Sequence, residues 1–238
     1  MEVQDGFIVG IFNYCDRWCE RCPFTSHCRV FADHAEMEAS QDANLKAVVE
    51  APPLPQDIPP PPPWMQVLIA EMDEACRNPP SPEEWERIRP RVPSEHKPID
   101  ARAMQYALGT FRWLTATESA SPGTPAEPRD VISWFHSIIA AKVNRALTRW
   151  PDADLDEELD HDGSAKVALL GIDESRAAWL ALINRGSVGR NEAEAFIADL
   201  VWLGEELERV RPNARAFVRP AFDEPEAVAR FLAGEGDR

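Results

Sequence analysis

Val131-Ile-Ser-Trp-Phe-His-Ser-Ile-Ile-Ala-Ala-Lys-Val-Asn-Arg-Ala-Leu-Thr-Arg-Trp150 brings an apolar side chain round at helical intervals, at Val131, Phe135, Ile138, Ile139, Ala146 and Trp150. This interval fits the turn of an α-helix and not the two-residue alternation of a strand. The same period extends outward in both directions. Toward the N-terminus it is carried by Met104, Ala107, Leu108, Phe111 and Leu114, and before them by Trp64, Val67, Leu68 and Met72. Toward the C-terminus it continues through 167–183, 196–210 and a short 228–232. No strands alternate with these helices and no repeat of fixed period is present. The expected class is therefore mainly α, a helical bundle.

Helix boundaries support this class. Ser81-Pro-Glu-Glu, Asn191-Glu-Ala-Glu and Asp223-Glu-Pro-Glu each set a capping side chain three residues before a glutamate, the capping-box pattern. Stops are predicted at Pro151, at Pro212 and at the Gly186 and Gly189 pair. Nearly every helix carries a tryptophan, Trp64, Trp85, Trp113, Trp134, Trp179 and Trp202, expected as core anchors where helices cross.

The sharpest break is 51–63, where Ala-Pro-Pro-Leu-Pro-Gln-Asp-Ile leads into five prolines. Such a run cannot enter a helix or sheet interior and is expected to be extended as polyproline II, a stiff strap or a proline-rich ligand. The expected organisation is a small N-terminal four-cysteine metal-binding module at 1–50, a proline-rich linker at 51–63 and a helical domain at 64–238.

A chain of 238 residues, 44% of them apolar, can bury a sizeable core. Its formal net charge of -16 argues against nonspecific nucleic-acid binding, which needs lysine and arginine to neutralise phosphates. The stretch from Phe7 to Phe12 falls far short of the roughly 20 residues that span a bilayer, and the start has no basic secretory region. No membrane partner is expected, and the location expected is the cytoplasm.

Four of the five cysteines, Cys15, Cys19, Cys22 and Cys28, lie in Cys15-Asp-Arg-Trp-Cys-Glu-Arg-Cys-Pro-Phe-Thr-Ser-His-Cys28. Thiolates this dense converge on one metal or cluster, and in a reducing cytosol that outcome is favoured over structural disulfides. Cys76 stands alone and is read as a small buried hydrophobe. The spacing C-x3-C-x2-C-x5-C is wider at its end than a second zinc knuckle usually is, whereas iron–sulfur loops tolerate varied spacing. A [4Fe-4S] cluster is the first expectation and zinc the alternative. His27 and His34 are candidate replacement ligands, but with four cysteines present they are expected beside the site or on the surface.

Cys19-x2-Cys22-Pro-x4-Cys28 resembles the C-x2-C-x5-C part of the [4Fe-4S] loops in endonuclease III-type DNA glycosylases and AddB-type nucleases. In those families the remaining cysteine lies farther upstream. No Leu-Pro-Gly-Val-Gly hairpin or nuclease carboxylate–lysine motif follows, so the resemblance implies a cluster type held by Cys15, Cys19, Cys22 and Cys28 and does not imply DNA repair. Cys15-x3-Cys19-x2-Cys22 also resembles the radical S-adenosylmethionine triad. There one iron stays open, a position Cys28 would fill, and the glycine-rich methionine-binding segment is missing.

Two weaker constellations remain. Residues 152–162 hold seven carboxylates and His161, but Glu157 stands where a calcium loop needs glycine and Gly163 where it needs glutamate, so a solvated connector is expected. Glu158-x-x-His161 has di-iron spacing without the second pair such a site requires. His136, Lys166 and Asp173 are the candidate catalytic set, a polar pocket between helices of the C-terminal domain. The functional expectation is a metal-binding helical protein with a binding or regulatory role, compatible with a protein partner. An enzyme is the second class.

Overall fold

A computed structural model of the chain describes residues 1–50, 60–117, 127–149 and 155–233. Trp150, Pro151, the segment 51–59 and the side chains of 152–159, most of the acidic run, lie outside the described residues. The protein is mainly helical, with eight α-helices and one short β-hairpin among the described residues. None of these helices is long and apolar enough to cross a membrane.

The chain divides into two compact units, Met1–Phe31 with Pro90–Arg238, and Ala32–Arg89. In the first, β1 (Val3–Gln4) pairs antiparallel with β2 (Phe7–Ile8) across an Asp5-Gly6 turn. Both turn residues have positive φ, as two-residue hairpins require. A cysteine-bearing loop follows, and α1 (Arg29–Glu50) starts directly after Cys28. The second unit holds most of α1 together with α2 (Pro63–Arg77) and α3 (Pro82–Ile88). The proline run ends by supplying the first residue of α2, where a missing N–H costs nothing. Ser81 and Glu84 form the capping box expected for α3, with exchanged bonds of 3.2 and 2.8 Å.

The body of the first unit is α4 (Lys97–Ala116), α5 (Pro128–Leu147), α6 (Leu155–Asn184), α7 (Arg190–Val210) and the short α8 (Pro225–Leu232). The most extensive packing is between α5 and α6, with α4 and α7 against them. Ile132, Phe135, Ile139, Val143 and Leu147 form the buried stripe of α5. Gly171 of α6 sits under that stripe. A Cβ there would meet Phe135 at 2.8 Å and Ile139 at 3.1 Å, so the glycine sets how closely the two helices approach. Trp179 is fully buried between Phe196, stacked at 4.7 Å, and Trp113, edge-on at 4.7 Å, while its indole N–H reaches the Tyr106 hydroxyl at 3.3 Å. Arg91 and Arg149 exchange backbone bonds of 3.1 and 3.0 Å and tie the lead-in of α4 to the end of α5.

Four expectations change, and the first is Cys76, which is exposed on α2 and not a buried hydrophobe. Met104, Leu108 and Phe111, read as the core stripe of α4, are about half exposed, and Ile99, Ala103, Tyr106, Thr110 and Trp113 are buried instead. Helix α4 is apolar on two sides, and the core takes the side carrying the larger rings. Trp64 and Trp85, read as anchors, are 65% and 51% exposed, whereas Trp113 and Trp179 are buried. Asn191 and Asp223 do not cap: α7 begins after Gly189 and α8 after Glu224. The Asp223 carboxylate is engaged by Arg219 at 2.9 Å and Lys166 at 3.1 Å, which leaves the helix end to its neighbour.

Candidate metal centre

Residues 9–28 take their shape from three single turns of 3₁₀ helix, Ile11–Asn13, Cys19–Arg21 and Thr25–His27. Positions three apart eclipse in such a turn. Cys19 opens the second turn and Cys22 closes it, its N–H donating to the Cys19 carbonyl at 3.1 Å, so both side chains leave on one side. Cys28 closes the third turn in the same way, its N–H donating to Thr25 at 3.3 Å. Around Cys15 the chain turns through Gly10, φ 71°, and Arg17, φ 61°. The Asp16 carboxylate accepts from the Trp18 N–H at 3.0 Å and holds that turn.

Trp18 fastens the loop to the bundle. Its ring, 9% exposed, stacks on Trp134 of α5 at 5.1 Å and meets Phe135 edge-on at 6.3 Å, with the Arg21 guanidinium 4.2 Å from its centroid. The Trp134 indole N–H donates to the Asp16 carbonyl at 2.8 Å, and Lys142 Nζ donates to the Asn13 carbonyl at 2.7 Å. Tyr14 lies on Phe217 at 4.7 Å and against Gly163 of α6. The C-terminal segment closes the other side: Phe24 meets Phe222 at 5.2 Å, His27 meets Phe231 at 4.8 Å, and the amino group of Met1 reaches Glu224 at 3.0 Å.

This framework brings Cys15, Cys19, Cys22 and Cys28 to the wall of one cavity, shared with Ile11, Phe12, Trp18 and Phe222. The cavity is small, with a volume of about 20 Å³, and is partly open to solvent. All four are free thiols. Burial pushes the Cys19 thiol up, and the neighbouring Cys15, Cys28 and Glu20 push it further, against the pull of Arg17. Cys22 is raised by burial and by Cys15, Asp16 and Cys19, while a hydrogen bond from the Phe24 N–H favours its thiolate. Thiols that repel one another as thiolates stay protonated unless a cation compensates them. The Phe24 contact is of the kind that supports metal-bound sulfur. Among the described residues, no group of three or more His, Cys, Asp or Glu side chains is already arranged to hold a metal ion.

The two histidines near the cysteines are engaged elsewhere. His27 Nδ1 is 3.1 Å from the Gly6 carbonyl, and His34 Nδ1 is 3.7 Å from Glu38 on exposed α1. The candidate catalytic residues make separate interactions. His136 Nδ1 lies 2.7 Å from the Ser133 carbonyl, and its ring stacks on Phe111. Lys166 donates to the carbonyls of Arg215 at 3.1 Å and Phe217 at 2.8 Å. Asp173 accepts from Arg215 at 2.6 Å. Lys166 and Asp173 therefore share the segment around Arg215 and serve to hold it down, and His136 contacts neither.

Asp223 is the strongest of these braces. Burial alone would raise its carboxyl, but hydrogen bonds from the Arg219 side chain and N–H and from Lys166 outweigh it and hold the group well below the usual carboxylate range. A depressed carboxyl contributes stability above its unfolded value near 3.9 and loses it as pH falls through the folded one. Asp223→Asn is expected to destabilise the protein at pH 7 and to flatten its acid limb, read from denaturation midpoints between about pH 6 and 2. An unchanged acid limb would contradict this role.

Sequence reading did not single out Trp18 or Phe222, and it read Trp134 only as a core anchor and Gly163 only against a calcium loop, with no link from either to the cysteines. Lys142 was visible as a polar residue on an apolar helix, but its place under the loop was not. Comparison with known proteins finds no match for this chain, neither a family model nor a curated protein nor a solved structure.

Proposed function

We propose that Cys15, Cys19, Cys22 and Cys28 hold one metal centre, a [4Fe-4S] cluster, and that the helical body built around it serves in binding or regulation. The observation that carries this reading is the convergence of four free thiols on one cavity. The C-x3-C-x2-C-x5-C spacing favours a cluster over zinc, because its last pair is wider than a second zinc knuckle usually is and iron–sulfur loops tolerate varied spacing. Zinc is the second reading, favoured by the Cys19-x2-Cys22 turn, which has the form of a zinc knuckle.

Serine substitutions test the ligand set. C15S, C19S, C22S and C28S are each expected to lower bound metal several-fold in protein purified without oxygen, whereas C76S, on exposed α2, keeps the wild-type content. Metal content that is insensitive to all four substitutions would exclude these ligands.

A further inference from the structure

Lys142 is 8% exposed, and its one hydrogen bond is to the Asn13 carbonyl. No carboxylate pairs with it among the described residues. A buried ammonium in that position is costly without a neighbouring anion. Burial lowers its pKa, Arg145 and Arg17 add to the effect, and Cys15 and Asp160 oppose it. Arg17 lines the same cavity as the four cysteines and likewise has no ion pair among the described residues. It also holds φ at 61°, a left-handed conformation that is unfavourable for a non-glycine residue and that asparagine or glycine would adopt more readily. The nearest carboxylate in the loop, Asp16, is occupied by the Trp18 N–H. Arg17 thus stands on the wall that the four thiols line, and Lys142 lies under the same loop at Asn13, two residues before Cys15.

We infer that Arg17 and Lys142 are the counter-charge of the four-cysteine centre, a pair of fixed cations that stabilises an anionic tetrathiolate complex from the solvent side and from the α5 side. The inference rests on the metal-centre reading above. Four thiolates around either zinc or an oxidised [4Fe-4S] core leave a dianion, and two flanking cations match it. The unfavourable backbone at Arg17 is then tolerated for the charge that its side chain brings.

The test is the rate at which full-length, metal-loaded protein releases its metal to excess chelator, bathophenanthroline for iron or pyridylazoresorcinol for zinc. R17N removes the charge and eases the backbone, so charge and structural roles predict opposite signs. We expect release to be about threefold faster, the scale of an exposed charge pair. K142Q keeps a donor for Asn13 but is neutral, and release about tenfold faster or more is expected, with K142R close to wild type. Release from R17N as slow as from wild type, or slower, overturns the inference. So does K142R that behaves like K142Q. If K142Q does not fold, R17N, at an exposed position, still decides. Wild-type protein that carries no metal would instead overturn the metal-centre reading itself, and elemental analysis shows that before any variant is made.

Discussion

Replacing Trp18 by alanine is expected to destabilise the protein by about 3–5 kcal/mol, the cost of emptying a buried aromatic site. The indole is 9% exposed and touches Trp134, Phe135 and Arg21, so its loss leaves a void between the cysteine loop and α5. The neighbouring bond from the Trp134 indole to the Asp16 carbonyl then loses its lateral support. Trp18 adjoins Cys19, so metal retention is expected to fall together with stability. Denaturant midpoints give the stability, and near-ultraviolet circular dichroism reports the Trp18–Trp134 stack. A loss below about 1 kcal/mol with an unchanged near-ultraviolet spectrum would show that the loop is not fastened by this ring.

Gly163→Ala is the second large effect, and its sign is informative. In a helix interior alanine is worth about 1 kcal/mol over glycine. At position 163, however, the added Cβ would run into the Tyr14 ring and come within 2.9 Å of Phe217. Overpacking of this kind costs about 1–3 kcal/mol, so a net loss is expected. Tyr14 adjoins Cys15, and lower metal retention should accompany the loss. Gly204→Ala on α7 is the control, since its Cβ would meet Ile172 at an ordinary 3.7 Å. The same substitution is expected to be neutral or stabilising there. Equal thermal shifts for the two variants would contradict the packing assigned to Tyr14.

The contrast between those two glycines shows what the sequence makes legible. Both sit in runs of helical period, and nothing local distinguishes a glycine that admits a ring from one that does not. The helices themselves could be read because amphipathic period and capping chemistry are local, as Ser81 with Glu84 demonstrates. The buried side of α4 could not, because Met104, Leu108 and Phe111 repeat as regularly as the residues that the core takes. At the cysteines, spacing alone singled out the four residues that line one cavity. Their supports are long-range: Trp18 against Trp134, Lys142 under Asn13, Phe24 against Phe222. Such pairings are set by how α5, α6 and the C-terminal segment come together, and no periodicity encodes them.

The central claim is that four thiols around one cavity carry one metal centre. The most direct test is the absorption spectrum of protein purified without oxygen, taken with its iron, sulfide and zinc content per chain. A broad band near about 400 nm with about four irons and as many sulfides per chain is the predicted result. A colourless protein with one zinc would replace the cluster by a structural tetrathiolate site, and a protein with neither metal would contradict the account.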